Sequence, residues 1–178
     1  MSPDGEDHDG ESEGDHGDDD GNEADGGDEA GDPGVFASIE VGDGYATGGR
    51  TITDADVVNF AGVSGDFNHI HTDTERMRET DFGERIVHGM LVLSIATGLI
   101  WQTRSEAERD AVVAFYGIDT LRFVAPTFVG DTIHLEVEVA DIEPRDHPVG
   151  NGVVRYAIDV RNQRDETVLA CEMLSLLR

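Results

Sequence analysis

Asp66, Asn68 and His71 sit close together in the run Ser64-Gly65-Asp66-Phe67-Asn68-His69-Ile70-His71. A histidine near its ordinary pKa of about 6.5 can take up and return a proton at neutral pH. A carboxylate beside it can orient a water or raise the basicity of the ring. Asn68, between them, offers both a donor and an acceptor. Gly65 frees the backbone to turn, so Asp66 and His71 can converge. Taken alone, the cluster is as readily a hydrogen-bonded turn, since these residue types are common in loops.

A second group follows in Arg85-Ile86-Val87-His88-Gly89-Met90. Gly89 falls where a long apolar segment begins. The first amides of a helix have no partner within the helix, and the helix dipole adds partial positive charge there. With no side chain at Gly89, a ligand oxygen can approach the amide. One such donor contributes roughly 3 kcal/mol to an anionic transition state. Close packing against the glycine is an equal alternative. A transition metal held by His69, His71 and His88 with Asp66 and Asp73 is another, although no further tight ligand cluster accompanies the His-x-His pair. His88 reads more simply as a brace between loop and helix start. Asp131 and Thr132 read as a turn and strand start, and Met90 and Trp101 as core.

These residues need elements to carry them. Thr53 is placed to cap a helix, with Asp56 three residues on in its first turn, Val57, Phe60 and Ala61 as its apolar stripe, and an end near Gly65. Residues 66–71 then read as loop, and 72–80 as a helical turn or two capped by Thr72 or Asp73. Residues 88–104 are apolar on nearly every side, which predicts a buried helix about 25 Å long. Residues 35–46 read as a first strand or an irregular entry. Past Asp110 everything reads as strand: 112–123 is rich in β-formers, 133–139 and 154–161 alternate apolar with polar residues, and 167–177 gives a last strand. Turns fall at Pro126, Gly130-Asp131, Pro144, 148–152 and 162–166. One helix apolar all round, with a sheet of amphipathic strands, predicts an α+β architecture in which a curved antiparallel sheet wraps a central helix. That is the hot-dog fold.

Composition divides the 178 residues in two. Residues 1–34 hold 15 of the 39 acidic residues, no basic residue and no aromatic one, and such a segment is expected to be disordered. Residues 35–178 are long enough for one domain with its own core. They keep 24 acidic residues against 12 basic ones, all arginine, a net charge of −12. Lysine is absent, and the composition resembles that of proteins from extreme halophiles, where salt screens such self-repulsion. An acidic protein-binding surface is the alternative. The charge excludes a face that binds nucleic acid by neutralising phosphates. A single cysteine, Cys171, permits no internal disulfide and reads as a small buried hydrophobe. No signal-peptide pattern or membrane-spanning run is visible, so a cytoplasmic setting is expected.

Together, Gly65-Asp66-Phe67-Asn68-x-Ile70-His71 and Phe82, Gly83 and Ile86-Val87-His88-Gly89-Met90 resemble the signature of the MaoC-like R-specific enoyl-CoA hydratases. Arg122-Phe123-x-x-Pro126-x-x-x-Gly130-Asp131-Thr132 resembles the strand and turn after that family's central helix. His69 departs from it, for the family often has proline there. The resemblance covers about residues 51–177. It implies reversible hydration of a trans-2-enoyl-CoA to an (R)-3-hydroxyacyl-CoA, in fatty-acid or polyhydroxyalkanoate metabolism. Asp66 and His71 would activate water, Asn68 would orient the pair, His88 would hold the loop, and the Gly89 amide would take the thioester oxygen's charge. No metal or redox cofactor is implied. Coenzyme A enters as the substrate's carrier, and a homodimer or higher homo-oligomer is expected. A hot-dog thioesterase and a non-catalytic acyl-thioester-binding module are the alternatives.

Overall fold

In the computed structural model the described residues are 34–178. The expected acidic tail lies outside them, except for Gly34, which opens the first helix. The elements run α1 (Gly34–Ser38), β1 (Gly44–Ala46), β2 (Arg50–Thr51), α2 (Asp54–Ser64), α3 (His69–Thr72), α4 (Thr74–Arg78), α5 (Gly89–Thr103), α6 (Glu106–Ala111), β3 (Val112–Phe123), β4 (Thr132–His147), β5 (Gly150–Arg161) and β6 (Thr167–Leu177). The sheet is antiparallel in the order β1-β4-β5-β6-β3, and β2 pairs further along β4.

Strand alternation sets the layers. Pairing aligns Leu135 with Val160 and Val160 with Leu169; the next row is Val137, Ile158 and Cys171. All six are buried and share one core with Leu91, Val92, Ile95, Ala96 and Leu99 of α5. Burying each such aliphatic side chain stabilises the fold by about 1.5–3 kcal/mol. A row between these, on the other face, is Glu136, Asp159 and Ala170. Arg155 bridges Asp119 and Glu172 at 2.8 Å each, and Arg161 reaches Glu136 at 3.1 Å. One face is therefore core and the other charged, and the sheet curls around α5 as the hot-dog fold requires.

Several expectations are corrected. Residues 34–38 form a helix, and only 44–46 of the entry segment are strand. Residues 69–72 are helical, because the Asn68 side chain caps the Ile70 amide at 3.3 Å. Pro144 lies inside β4, opposite Gly152; past the β1 pairing this stretch is an open edge, which tolerates a residue with no N–H. Met90 and Trp101 are not core: they are 51% and 48% exposed along one flank of α5. Ser105 and Glu108 form a capping box that starts α6, an element the apolar pattern did not reveal.

Candidate active site

The site begins with how α2 ends. Thr53 and Asp56 close a capping box at its start. At its end Gly65 adopts φ 75, a left-handed conformation that favours glycine, and its amide donates to Ala61 O at 2.9 Å. Asp66 follows immediately. Its Oδ1 accepts the Asn68 amide at 3.1 Å, so the carboxylate shapes the turn that leads into α3.

α3 delivers His71, which is only 6% exposed. Its Nδ1 lies 2.7 Å from Ile86 O. A carbonyl only accepts, so Nδ1 carries the proton and Nε2 keeps its lone pair. That Nε2 lies 3.7 Å from Asp66 Oδ2, too far for a direct hydrogen bond but close enough for both atoms to contact one small molecule. The segment bearing Ile86 is itself pinned, by Ile86 N to Ile70 O at 3.0 Å and Val87 N to Thr127 O at 2.7 Å.

His88 works by the same logic. Its Nε2 lies 2.9 Å from Asp66 O, so Nε2 donates and Nδ1 is left with a lone pair. Nδ1 is buried and has no hydrogen-bond partner among the described residues. The two imidazoles stack, with centroids 3.7 Å apart and planes 25° apart, and Phe60 lies 5.1 Å from the His88 ring. Burial pushes the His71 pKa below its ordinary value; the Ile86 carbonyl and Asp66 oppose this, and the His88 ring adds to it. His71 is therefore a neutral base at pH 7.

Gly89 is the first residue of α5, with His88 at the cap position. A Cβ there would meet the Phe123 ring at 2.5 Å. The glycine is needed for close packing, and its N–H, at a helix start, is one of the amides without an intrahelical acceptor. Both readings of Gly89 therefore describe the same residue. Asp66, His71, His88 and Gly89 all line one cavity of about 550 Å³, walled by Phe60, Phe82 and Phe123. Asn68 and His69 do not line it: Asn68 acts as the cap of α3. Asp131 is buried and holds the Phe128 amide and the Gln163 side chain, a turn clamp.

Asp66, His71 and His88 each place a ligand atom within 4.8 Å of the others, a set that could hold a divalent cation. Asp73 and His69 are not part of it. The sequence reading missed three contributors: the Ile86 carbonyl, the Phe60 ring and the wall formed by residues 123–127. The Arg122-Phe123-x-x-Pro126 motif was the available signal for the last, since it runs through that wall.

A family profile described as "MaoC like domain" matches residues 37–161. Protein MaoC of Klebsiella aerogenes is 43% identical over 102 residues, 57% of this chain but only 29% of that protein's length. An (R)-specific enoyl-CoA hydratase of Aeromonas caviae is 36% identical over 118 residues, 66% of this chain and 83% of that protein. A crystal structure titled as a monoamine oxidase regulatory protein of Archaeoglobus fulgidus superposes with a TM-score of 0.75 at 42% identity, covering 80% of this chain and 93% of the other.

Proposed function

Because the chain belongs to the MaoC-like domain family, we propose that it catalyses reversible hydration of trans-2-enoyl-CoA to (R)-3-hydroxyacyl-CoA. The observation that carries this reading is the pairing of a neutral His71 Nε2 with the Asp66 carboxylate, 3.7 Å away, in the cavity that also holds the start of α5. A water held by both groups attacks C3 of the enoyl thioester. As the new C–O bond forms, a water proton passes to the pair, and the C2–C3 π electrons move toward the thioester, giving an enolate-like oxygen. The Gly89 amide stabilises that charge. The protonated member of the pair returns a proton to C2, so the water is added across the double bond and the pair regains its starting state. The R configuration is supported by the likeness to the Aeromonas caviae protein.

Crotonyl-CoA incubated with the protein in molar salt tests the reading. The expected result is loss of the enoyl absorbance without release of free thiol, with (R)-3-hydroxybutyryl-CoA as product. Free thiol appearing first would point to a thioesterase, and no turnover across several acyl lengths to a binding module; either overturns the proposal.

The assembly we propose is a homodimer. β3 is an edge strand of 12 residues, with Phe115 and Tyr116 more than half exposed. Unpaired strand edges of this length favour pairing with another strand. Sedimentation should show a dimer, and a monomer across micromolar concentrations would refute it. Among the described residues no helix is long and apolar enough to cross a membrane.

A further inference from the structure

A second cavity, of about 320 Å³, lies at the far end of α5. Helix α5 and strand β3 line both cavities. Gly89 and Phe123 meet at the first, and Trp101 and Phe115 both line the second, so the two elements pass each cavity in opposite chain order. Met90, Ser94, Thr97 and Trp101, all exposed, recur at helical spacing along α5. From Gly89 to Thr97, the first α5 residue of the second cavity, the helix rises about 12 Å, and to Arg104 about 22 Å.

The second cavity is mainly apolar, but Arg104 and the hydroxyls of Tyr45 and Tyr156 bring polar groups to its end. Arg104 caps the C-terminus of α5 through its amide, and its guanidinium lies 5.4 Å above the Tyr156 ring. It forms no ion pair among the described residues, in a chain with 39 acidic ones. Glu108, one turn away, is occupied by the Ser105 amide at 2.7 Å. The Tyr45 hydroxyl, in the same cavity, is buried; the Arg104 side chain donates to its oxygen, and the hydroxyl proton is left with no acceptor among the described residues. Burial raises the pKa of both Tyr45 and Tyr156, and the charge of Arg104, together with its side-chain hydrogen bonds to the two hydroxyls, opposes the rise. A cation with no carboxylate at ion-pair distance, beside a buried hydroxyl whose proton has no acceptor, suits a ligand that supplies acceptors at the end of an apolar space.

We propose that this cavity receives the far end of the acyl chain, and that Arg104 with the Tyr45 hydroxyl selects enoyl thioesters whose far end is a carboxylate. The inference rests on the hydratase reading and deepens it to a substrate class. A carboxylate satisfies the planar guanidinium and the hydroxyl together, while the methylene chain lies along the flank of α5 between the cavities. A methyl end fills the same space and offers neither group an acceptor.

The test compares kcat/KM for trans-2-enoyl-CoA thioesters of matched medium and long chain length, ending in methyl or in carboxylate. The wild-type protein should prefer the carboxylate-ended member at the longer lengths. Arg104→Gln should lower the ratio of carboxylate-ended to methyl-ended kcat/KM by about tenfold or more, the loss expected for a hydrogen bond to a charged group. Tyr45→Phe, which keeps the ring, should lower the same ratio to a smaller extent. Should Arg104→Gln fail to fold, Tyr45→Phe decides alone. An unchanged ratio in the variants, or no preference in the wild type with methyl-ended substrates still turned over, overturns the selectivity and spares the hydratase reading. Failure of both series, crotonyl-CoA included, overturns the hydratase reading itself.

Discussion

At the scale of single residues, the site depends on which nitrogen carries which proton. His71 Nδ1 is committed to Ile86 O, so only Nε2 faces Asp66. His71→Gln removes the titratable base, and Asp66→Asn keeps the shape and the contact to the Asn68 amide but loses the charge. Each should lower kcat by about 10²- to 10⁴-fold with the circular dichroism unchanged; turnover within twofold of wild type would remove that residue from the mechanism. The pH dependence has a definite sign. The pKa of His71 is lowered in the folded state, so between that value and the ordinary one near 6.5 the unfolded chain binds more protons. Its contribution to stability is complete above pH about 6.5 and is lost as pH falls toward the folded value. kcat/KM should therefore stay high through neutral pH and drop on the acid side only below 6.5, and a drop beginning at pH 8 would contradict a neutral, buried base. Asp66 and His71 could be paired from the sequence because they are neighbours in the chain, whereas Asn68, read with them, caps α3 and does not line the cavity. The Ile86 carbonyl and the stacked His88 ring were not legible there, because their contact depends on how two separated segments pack.

At the scale of elements, capping chemistry was the most readable signal. Thr53, Asp56 and Gly65 marked α2, and of the two caps open for the next helical turns, Thr72 and Asp73, the structure uses Asp73 for α4, because each works through bonds to its own neighbours. Asn68 caps α3 in the same way, yet α3 is a single turn with too few residues to show a period. Strands β4 and β5 followed from alternation, and β3 from its content of β-formers. The exposed flank of α5 did not, for Met90 and Trp101 look like core by composition and only the sheet's one-sided cover leaves them open. Gly89 tests how α5 and β3 fit together. In Gly89→Ala the new methyl meets the Phe123 ring, and overpacking of this kind costs about 1–3 kcal/mol. Thermal unfolding should show a lower Tm for Gly89→Ala, and adding Phe123→Ala should recover part of the loss. If the double variant is less stable than the two single changes add up to, the ring is not what makes Gly89 necessary.

At the scale of the whole molecule, the composition sets two electrostatic effects against each other. Ion pairs such as Arg155 with Asp119 and Glu172 are partly exposed and contribute little each, and salt screens them. The excess of negative charge repels itself across the whole surface, and salt screens that too, with the opposite effect on stability. With a formal charge of −27 and only 12 cations to form pairs, the repulsion dominates. Tm should therefore rise from dilute buffer to molar potassium chloride, and a flat or falling curve would refute the halophilic reading. The acidic segment offers a control. Deleting residues 1–32 removes 15 acidic residues and brings the net charge to −12. Residues 35–178 still hold twice as many acids as bases, so the truncated protein should keep a rising, shallower salt dependence. Its hydration rate should stay close to that of the full chain, because every residue placed at the site lies in the part that remains. A salt dependence abolished by the deletion would locate the adaptation in the segment instead of in the surface of the fold.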